Sequence, residues 1–478
     1  MSTRGSGSAI ATENVVAGAG VGSADGGAAG TGVVGAEVAG AAKLKRSLGY
    51  WDLVLYGLAY IAPFAPLSTL GFVWSESNGL IVMAYVLGAV CMYFTAQSYA
   101  TMTETLPTAG SVYGFARHSL GAFPGFMAGW MILLDYLLIP AFVYVLIAVA
   151  LESLLPGIDR GVWIVSMVAM TTLVNWFGIT VTSRANFIAV ALQTIILVGF
   201  LILGVIALYA GKGNGALTLK PLFDAAHFDA GKIFSATSIC IMSFLGFDAV
   251  STLAEEVEGG DRRLVGRAII ATLVLSAVFF VTVTWVLGNL LPGIAIKDQA
   301  AAVYELAAWA TGPWTAVVLA WAYAGIVGLS NALPMQVGVA RVVFAMGRDR
   351  QLPRVLARVH PRYHTPYMGM LVTAALSLAV ALYMKNRLDD LASIVNFGAL
   401  SGFLFLHVSV LAYFGVKRGS AAWVKHWLVP ICGIVVVLAV FSGMSALAVK
   451  VGTTWLVVGL VYGLVLKAKH REELHVPL

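Results

Sequence analysis

One short stretch of the chain places a glycine and a carboxylate in the middle of an apolar run. The stretch reads Ser243-Phe244-Leu245-Gly246-Phe247-Asp248-Ala249, within a run that begins near Ile233. A carboxylate at the centre of a membrane costs roughly 2.5–3.5 kcal/mol on insertion scales, so it is seldom without a function. A glycine lets a membrane helix unwind and turn its backbone groups toward a cavity. The stretch therefore predicts a broken helix with a buried acid, which suits the binding of a cationic solute.

The elements that must position this acid are membrane spans. Of the 478 residues, 60% are hydrophobic and only 11% are charged, and the mean hydropathy is +0.89. A soluble domain carries about 25% charged residues. Apolar runs of membrane-spanning length recur along the chain, and they lie near 50–74, 80–103, 122–150, 162–180, 186–210, 233–254, 268–291, 313–340, 367–384, 391–416, 428–447 and 451–467. The sequence thus predicts an all-α polytopic membrane protein with about twelve transmembrane helices.

Loop charges predict the orientation. With the N-terminus in the cytoplasm, 20 Lys and Arg residues fall in or beside the inner loops and ends, and 8 fall in the outer loops. This bias predicts that both termini are cytoplasmic. The net charge of +6 is then a consequence of topology, and nucleic-acid binding is the weaker interpretation of it.

Two predicted spans look interrupted at related places. In the first span, Pro63 and Pro66 lie mid-membrane, and each proline removes a helix hydrogen bond. In the sixth span, Gly246 takes the breaking role. Broken first and sixth helices suggest two inverted five-helix halves with a site between the breaks. Two kinks without function are the alternative, and the acid beside the second break argues against it.

The remaining composition gives the domain organisation. Residues 1–40, of which 20 are Gly or Ala, predict a disordered cytoplasmic tail without a cleaved signal peptide. A single transmembrane transporter domain is predicted over 41–470, followed by a cytoplasmic tail over 471–478. Cys91, Cys240 and Cys432 all fall in apolar runs and suggest buried free thiols. Neither a metal site nor a cofactor is predicted.

Several motifs are similar to those of a known family. The chain resembles amino acid–polyamine–organocation superfamily permeases from about Lys45 to the last span, and most of all the bacterial putrescine importers among them. The resemblance rests on Gly57-Leu58-Ala59-Tyr60 with Pro63, Pro107-Thr108-Ala109-Gly110-Ser111-Val112-Tyr113, Gly129-Trp130, Leu134-Asp135-Tyr136-Leu137, the Ser243–Val250 stretch, Glu255-Glu256, Ala345-Met346-Gly347-Arg348-Asp349 and Asn396-Phe397-Gly398-Ala399-Leu400.

The resemblance implies a fold and a way of working. It implies a five-plus-five inverted repeat, with repeats over roughly 48–210 and 230–416, broken first and sixth helices, and two extra helices over 427–468. It also implies alternating-access transport in the cell inner membrane, with the third helix lining the same cavity as the two broken ones.

The first break departs from the wider superfamily. Amino acid permeases usually carry a Gly-Ser-Gly-like unwound segment whose free amides hold the substrate carboxylate. The matching positions here are Ile61-Ala62-Pro63. Pro63 has no backbone N–H and Ala62 has no hydroxyl, so a carboxylate receptor is weakened. This favours a substrate with amines and without an α-carboxylate.

Two acids would then face one cavity. If Asp135 joins Asp248 there, two fixed carboxylates match a dication such as putrescine, because each buried charge requires an opposite charge beside it. Apolar or aromatic walls and cation–π contacts are expected from Tyr60, Tyr136, Phe244 and Phe247. For Asp135, a helix–helix contact or a proton carrier remain alternatives, and for Asp248 a structural role at the break.

The other candidate residues carry weaker signals. Met335 in the eighth span falls, by resemblance, at a cavity position, although a methionine of the helix core is the favoured interpretation. Tyr113 precedes the third span, where it gates the site or anchors at the interface. Asp52, Glu104, Asp135 and Asp248 are the titratable groups inside or at the edge of the membrane. Proton symport is therefore expected, and exchange would use the same residues.

These observations favour a diamine or polyamine importer, with putrescine as the preferred substrate. An amino acid permease or exchanger of the same fold is the alternative. An enzyme or receptor is disfavoured, because the sequence has no soluble catalytic domain, nucleotide loop or metal cluster.

Overall fold

A computed structural model describes residues 49–106, 111–177, 183–254, 257, 261–348, 352–360, 363 and 365–469, and these residues are helical almost throughout. Parts of the motifs at 107–110, Glu255-Glu256 and Asp349 lie outside this range. The α-helices are α1 Tyr50–Ile61, α2 Ala65–Ser68, α3 Leu70–Glu76, α4 Ile81–Thr105, α5 Ser111–Leu120, α6 Ala122–Leu154, α7 Arg160–Trp176, α8 Ser183–Tyr209, α9 Ala230–Cys240, α10 Arg262–Leu290, α11 Ala302–Thr311, α12 Pro313–Trp321, α13 Leu333–Arg348, α14 Tyr367–Met384, α15 Leu388–Val410, α16 Val429–Ser442 and α17 Ala446–Lys469.

Most of these helices have the length and composition of membrane spans. Within the described ranges, nine helical segments are long and apolar enough to cross a bilayer, and the bent pair Tyr50–Ser68 and Leu70–Glu76 makes a tenth. The nine are Ile81–Thr105, Ala122–Leu154, Phe187–Tyr209, Arg263–Leu290, Pro313–Ala340, Tyr367–Met384, Leu388–Lys417, Val424–Ser442 and Ala446–Ala468. The prediction of an all-α polytopic membrane protein is confirmed.

The two remaining predicted spans correspond to shorter helices. The fourth predicted span coincides with α7, which has 17 residues. The sixth coincides with α9 and the 3₁₀ turns that follow it, where Ala230–Phe244 forms a short apolar helix. The count of twelve and the inverted repeat stay predictions.

The long helix α6 lies at the centre of the packing. Most of its length is buried, and α15 packs along it. The last helix, α17, also packs on α6 through Trp130 and Trp455, whose rings stack at 4.6 Å. Each indole N–H donates to the main-chain carbonyl of the other tryptophan, at 2.9 and 2.8 Å. Cys91 and Cys240 are buried in this interior, whereas Cys432 is half-buried.

An ion-paired cluster joins the loops at one end of the bundle. The Arg160 guanidinium is buried and lies 2.7 Å from both Glu152 and Asp298. It also donates to the main-chain oxygen of Lys385 at 2.9 Å. Lys385 in turn pairs with Asp159 at 2.8 Å. Hydrogen bonds from Lys385 and from the Gly161 N–H lower the pKa of the Asp159 carboxyl.

Candidate functional site

The first span is broken at Ala62. Helix α1 ends at Ile61, and Ala62 takes a left-handed conformation with φ 64°. A non-glycine residue in this region costs about 1–3 kcal/mol and marks a site that its surroundings hold in place. Pro63 follows without an N–H, and Pro66 sits in the first turn of α2, where a proline loses no helix bond. The first span therefore changes direction at a strained, proline-fixed point.

The sixth span is broken at Gly246. The α-helix ends at Cys240 and tightens into a 3₁₀ turn over Ile241–Phe244. Leu245 is then extended, Gly246 has φ 115°, and a second 3₁₀ segment runs over Phe247–Leu253. Only glycine adopts this φ without strain. The sixth span is thus broken at Gly246, the residue that the sequence predicted.

Asp248 lies just beyond this break. Its carboxylate accepts a hydrogen bond from the Tyr99 hydroxyl of α4 at 3.3 Å. The main-chain N–H groups of Gly246 and Ala249 also lie close to it. The side chain is half-buried. The carboxylate is thus held by donors from two elements, and the residue is not fully enclosed.

Asp135, on α6, is the second acid of the site. Its side chain is only 8% exposed, and its Oδ1 atom has no hydrogen-bond partner among the described residues. Asp135 and Asp248 lie near enough to interact electrostatically. Two carboxylates in a low-dielectric environment repel each other unless a cation or a proton lies between them. We call Asp135 and Asp248 the acid pair.

Tyrosines surround the acid pair. Tyr60, in the last turn of α1, interacts electrostatically with both acids and with Tyr56, whose ring centroid is 6.2 Å from its own. Tyr136 interacts with the same two acids and with Tyr60. Both Tyr60 and Tyr136 are half-buried. Aromatic rings beside two carboxylates favour the binding of a cation.

An apolar cavity of about 60 Å³ begins at Tyr60 and lies between the two breaks. Its lining is formed by Tyr60, Ile61, Ala62, Phe64, Ala65, Ser68, Ile139, Phe142, Val143, Leu146, Met242, Ser243, Leu245, Tyr323, Val327, Asn331 and Met335. Ile139 lies one helical turn, about 6 Å, beyond Asp135 on α6. Tyr60 therefore stands where the acid pair and the cavity adjoin.

Apart from Asp135, Tyr136 and Asp248, the predicted substrate-binding residues fall into two groups. Tyr60, Ile61, Ala62 and Met335 line the cavity, and Pro63 sits between two lining residues. The predicted aromatic walls Phe244 and Phe247 do not line the cavity and are fully buried elsewhere.

Phe244 and Phe247 pack into the helix core. The Phe244 ring lies 5.4 Å from that of Phe280, and the Phe247 ring lies 5.9 Å from that of Tyr99. The aromatic residues of the cavity lining are Tyr60, Phe64, Phe142 and Tyr323. Sequence reasoning missed the last three, and it also missed Tyr99, because neither their types nor their spacing distinguishes them from other core aromatics.

The two predicted gating or coupling residues outside the acid pair make their contacts away from the cavity. Glu104, near the end of α4, pairs with Lys425 at 2.9 Å. The Tyr113 hydroxyl accepts from Arg117 at 2.8 Å. The Tyr113 ring lies against Gly129, where an added Cβ would come within 3.0 Å of it. These contacts anchor α4 and α5 without placing either residue in the cavity lining.

Comparisons with known proteins agree with this architecture. The family model described as amino acid permease matches residues 52–465. The low-affinity putrescine importer PlaP of Escherichia coli strain K12 is 30% identical over 427 residues, which cover 88% of this chain and 93% of that protein.

Two other relatives have different solutes in their names. The branched-chain amino acid permease BcaP of Bacillus subtilis strain 168 is 28% identical over 462 residues, covering 91% of this chain and 96% of its own. A methylthioribose transporter of the same organism is 25% identical over 435 residues, covering 86% and 90%. Since the family model spans most of the chain, the protein belongs to the amino acid permease family and is a multi-pass membrane transporter, not an enzyme.

Proposed function

We propose that this transporter imports a cationic diamine or polyamine, with putrescine as the favoured substrate. In this proposal import is coupled to protons and works by alternating access in the cell inner membrane, with both termini in the cytoplasm. The similarity to a putrescine importer supports the substrate class, and the excess of Lys and Arg in the inner loops supports the orientation.

The acid pair is the observation that carries the proposal. Asp135 has a buried oxygen without a hydrogen-bond donor in the described part of the chain, and Asp248 adds a second carboxylate nearby. An ammonium group would supply both the missing donor and the missing positive charge. Tyr60 connects this position with the apolar cavity, which suits the methylenes of an alkyl amine.

The first break supports an amine over an α-amino acid. The Ala62 N–H already donates to the Leu58 carbonyl at 3.3 Å, and Pro63 has no N–H to offer. An unwound first helix would bind a substrate carboxylate through main-chain N–H groups at these positions. The N–H of Ala62 is already engaged, and Pro63 has none.

An amino acid permease or exchanger is the second candidate. One observation favours it: the cavity wall contributed by α6 consists of Ile139, Phe142, Val143 and Leu146, which would accept a hydrophobic side chain. The similarity to a branched-chain amino acid permease has the same implication.

Proton coupling is assigned to the acid pair. Of the other acids at the membrane edge, Asp52 accepts from the Gly49 N–H at 2.9 Å and Glu104 pairs with Lys425. Both are already stabilised near the protein surface. A buried carboxylate pair that binds either a cation or a proton offers a direct means of coupling the two.

Uptake into proteoliposomes tests the proposal. Purified protein is reconstituted, and uptake of radiolabelled putrescine is compared with uptake of leucine and alanine, with and without an inward proton gradient. We expect gradient-driven putrescine uptake that excess unlabelled leucine leaves unchanged. Leucine uptake without putrescine uptake would replace the first candidate by the second.

A further inference from the structure

The motif Asn396-Phe397-Gly398 on α15 lies outside the cavity lining, and it contacts both α6, which carries Asp135, and α9, which precedes the second break. Asn396 is fully buried. Its Nδ2 donates to the Ser238 carbonyl at 2.6 Å, and a longer contact of 3.5 Å reaches the Ile239 carbonyl. Asn396 therefore forms a hydrogen bond to α9, the helix that precedes the second break, although the two residues are 158 positions apart in the sequence.

The Ser238 carbonyl, which accepts the shorter bond from Asn396, is one that a helix end leaves short of a donor. Ser238 lies in the last turn of α9, which ends at Cys240, whereas the neighbouring Ile239 carbonyl already accepts from the Ile241 N–H. The last four carbonyls of an α-helix have no regular partner within the helix. Asn396 thus supplies, from a neighbouring helix, a donor at the point where α9 stops and the chain begins to unwind toward Gly246.

Two residues later on the same helix, Gly398 contacts the third span. A Cβ built on Gly398 would lie 2.7 Å from the main-chain nitrogen of Asp135 and 3.0 Å from the Met131 carbonyl. These contacts are with backbone, which cannot swing aside. The absence of a side chain lets α15 lie directly against α6 at the residue that carries the first acid.

We propose that Asn396 is a positioning residue, which holds the end of α9 on α15 and so fixes Asp248 relative to Asp135. Helix α15 then supports both members of the acid pair. Gly398 allows α15 to pack closely against α6, and Asn396 binds the last turn of α9, just before the second break. The inference rests on the proposed function in so far as the acid pair is the substrate site. It assigns to Asn396 no contact with the substrate.

The test uses a cysteine that the chain already has. Cys240 is the last residue of α9 and is buried, so its reaction with N-ethylmaleimide reports opening of this helix end. Cys432 on α16 serves as the internal reference. The variant Asn396→Leu removes the donor and keeps the same branched arrangement of four side-chain heavy atoms. Ser409→Ala is the matched control, because this buried hydroxyl of α15 donates to the Phe405 carbonyl of its own helix and has no other partner among the described residues.

Loss of one buried hydrogen bond is expected to raise Cys240 labelling about 2- to 10-fold relative to Cys432. The Kd of purified, folded Asn396→Leu for putrescine is expected to rise by a similar factor. Neither value should change in Ser409→Ala. If the Leu variant does not accumulate, Asn396→Ser, which keeps a shorter donor, should show smaller changes in the same direction.

Three results would overturn the inference. They are unchanged Cys240 labelling, a parallel rise at Cys240 and Cys432 that indicates general loosening, and a selective rise at Cys240 with unchanged affinity. Failure of the proposed function gives a different result, since wild-type protein would then bind no putrescine. In that case the labelling comparison still decides the role of Asn396, and leucine replaces putrescine as the ligand in the affinity measurement.

Discussion

Gly246 lies directly against the ring of Tyr60. A Cβ added to Gly246 would come within 2.6 Å of Tyr60 Cδ1, and the main-chain carbon of Tyr60 would be 3.4 Å away. The break in the sixth span therefore touches the end of the first helix. Because Tyr60 adjoins both the acid pair and the cavity, this contact sets the distance between the two helix breaks at the site.

Gly246→Ala is expected to weaken transport and folding together. The left-handed φ of 115° costs a residue with a side chain about 1–3 kcal/mol, and the new methyl group also displaces Tyr60. Thermal unfolding and substrate uptake should both show the loss. Gly199→Ala is the matched control, because a Cβ at Gly199 meets no atom within 4 Å, and helical alanine gains up to about 1 kcal/mol. Equal behaviour of the two variants would contradict a tight contact at Gly246.

Asp135→Asn distinguishes the three roles that remain open for this acid. If Asp135 binds the second amine, the variant should lose more affinity for putrescine than for butylamine, because only the diamine has a second charge to leave unpaired. If it carries the proton, both amines should still bind and exchange, while accumulation driven by a pH gradient should disappear.

A purely structural role of Asp135 gives a third pattern, in which binding, coupling and thermal stability fall together. Calorimetric binding of the two amines, uptake with and without an imposed pH gradient, and thermal unfolding separate these patterns. Equal loss of diamine and monoamine binding in a stable protein would exclude the two-carboxylate clamp.

The sequence was sufficient for the class of fold and for the location of both breaks. Hydrophobic runs of bilayer length define spans whatever their partners are, and Gly246 and Pro63 interrupt helices for reasons that are local to the backbone. The acid at Asp248 was visible for the same reason, since a charge in an apolar run stands out without knowledge of its neighbours.

Side-chain direction beyond a break was not predictable. Phe244 and Phe247 lie on 3₁₀ segments, where successive side chains turn through about 120° and the α-helical pattern no longer applies. Both rings point into the core as a result. The role proposed for Asn396 depends on a contact 158 residues away, and no local pattern contains that information.

Arg160→Met is expected to destabilise the end of the bundle where the ion-paired cluster lies. The substitution leaves Glu152 and Asp298 without their shared cation. Removing one partner of a fully buried pair costs about 3–5 kcal/mol. Both carboxylates are partly exposed, so we expect about 1–3 kcal/mol after allowance for solvent screening.

Thermal unfolding in detergent measures this effect. The matched control is Arg387→Met, which breaks a pair with Asp390 at 2.7 Å whose guanidinium is about half exposed, and it should cost less than about 1 kcal/mol. If Arg160→Met and Arg387→Met unfold at the same temperature, Arg160 does not hold these loops together.

Calorimetric binding of putrescine and leucine to purified wild-type protein and to Asp248→Asn tests the central claim most directly. The claim is that the acid pair binds a cationic amine. Removing one partner of a buried charge pair costs about 2–5 kcal/mol, so the putrescine Kd should rise by roughly 30-fold to several thousand-fold while thermal stability is kept. Wild-type protein should bind leucine far more weakly than putrescine. Near-wild-type putrescine affinity in Asp248→Asn, or leucine binding tighter than putrescine binding in the wild type, would contradict the claim.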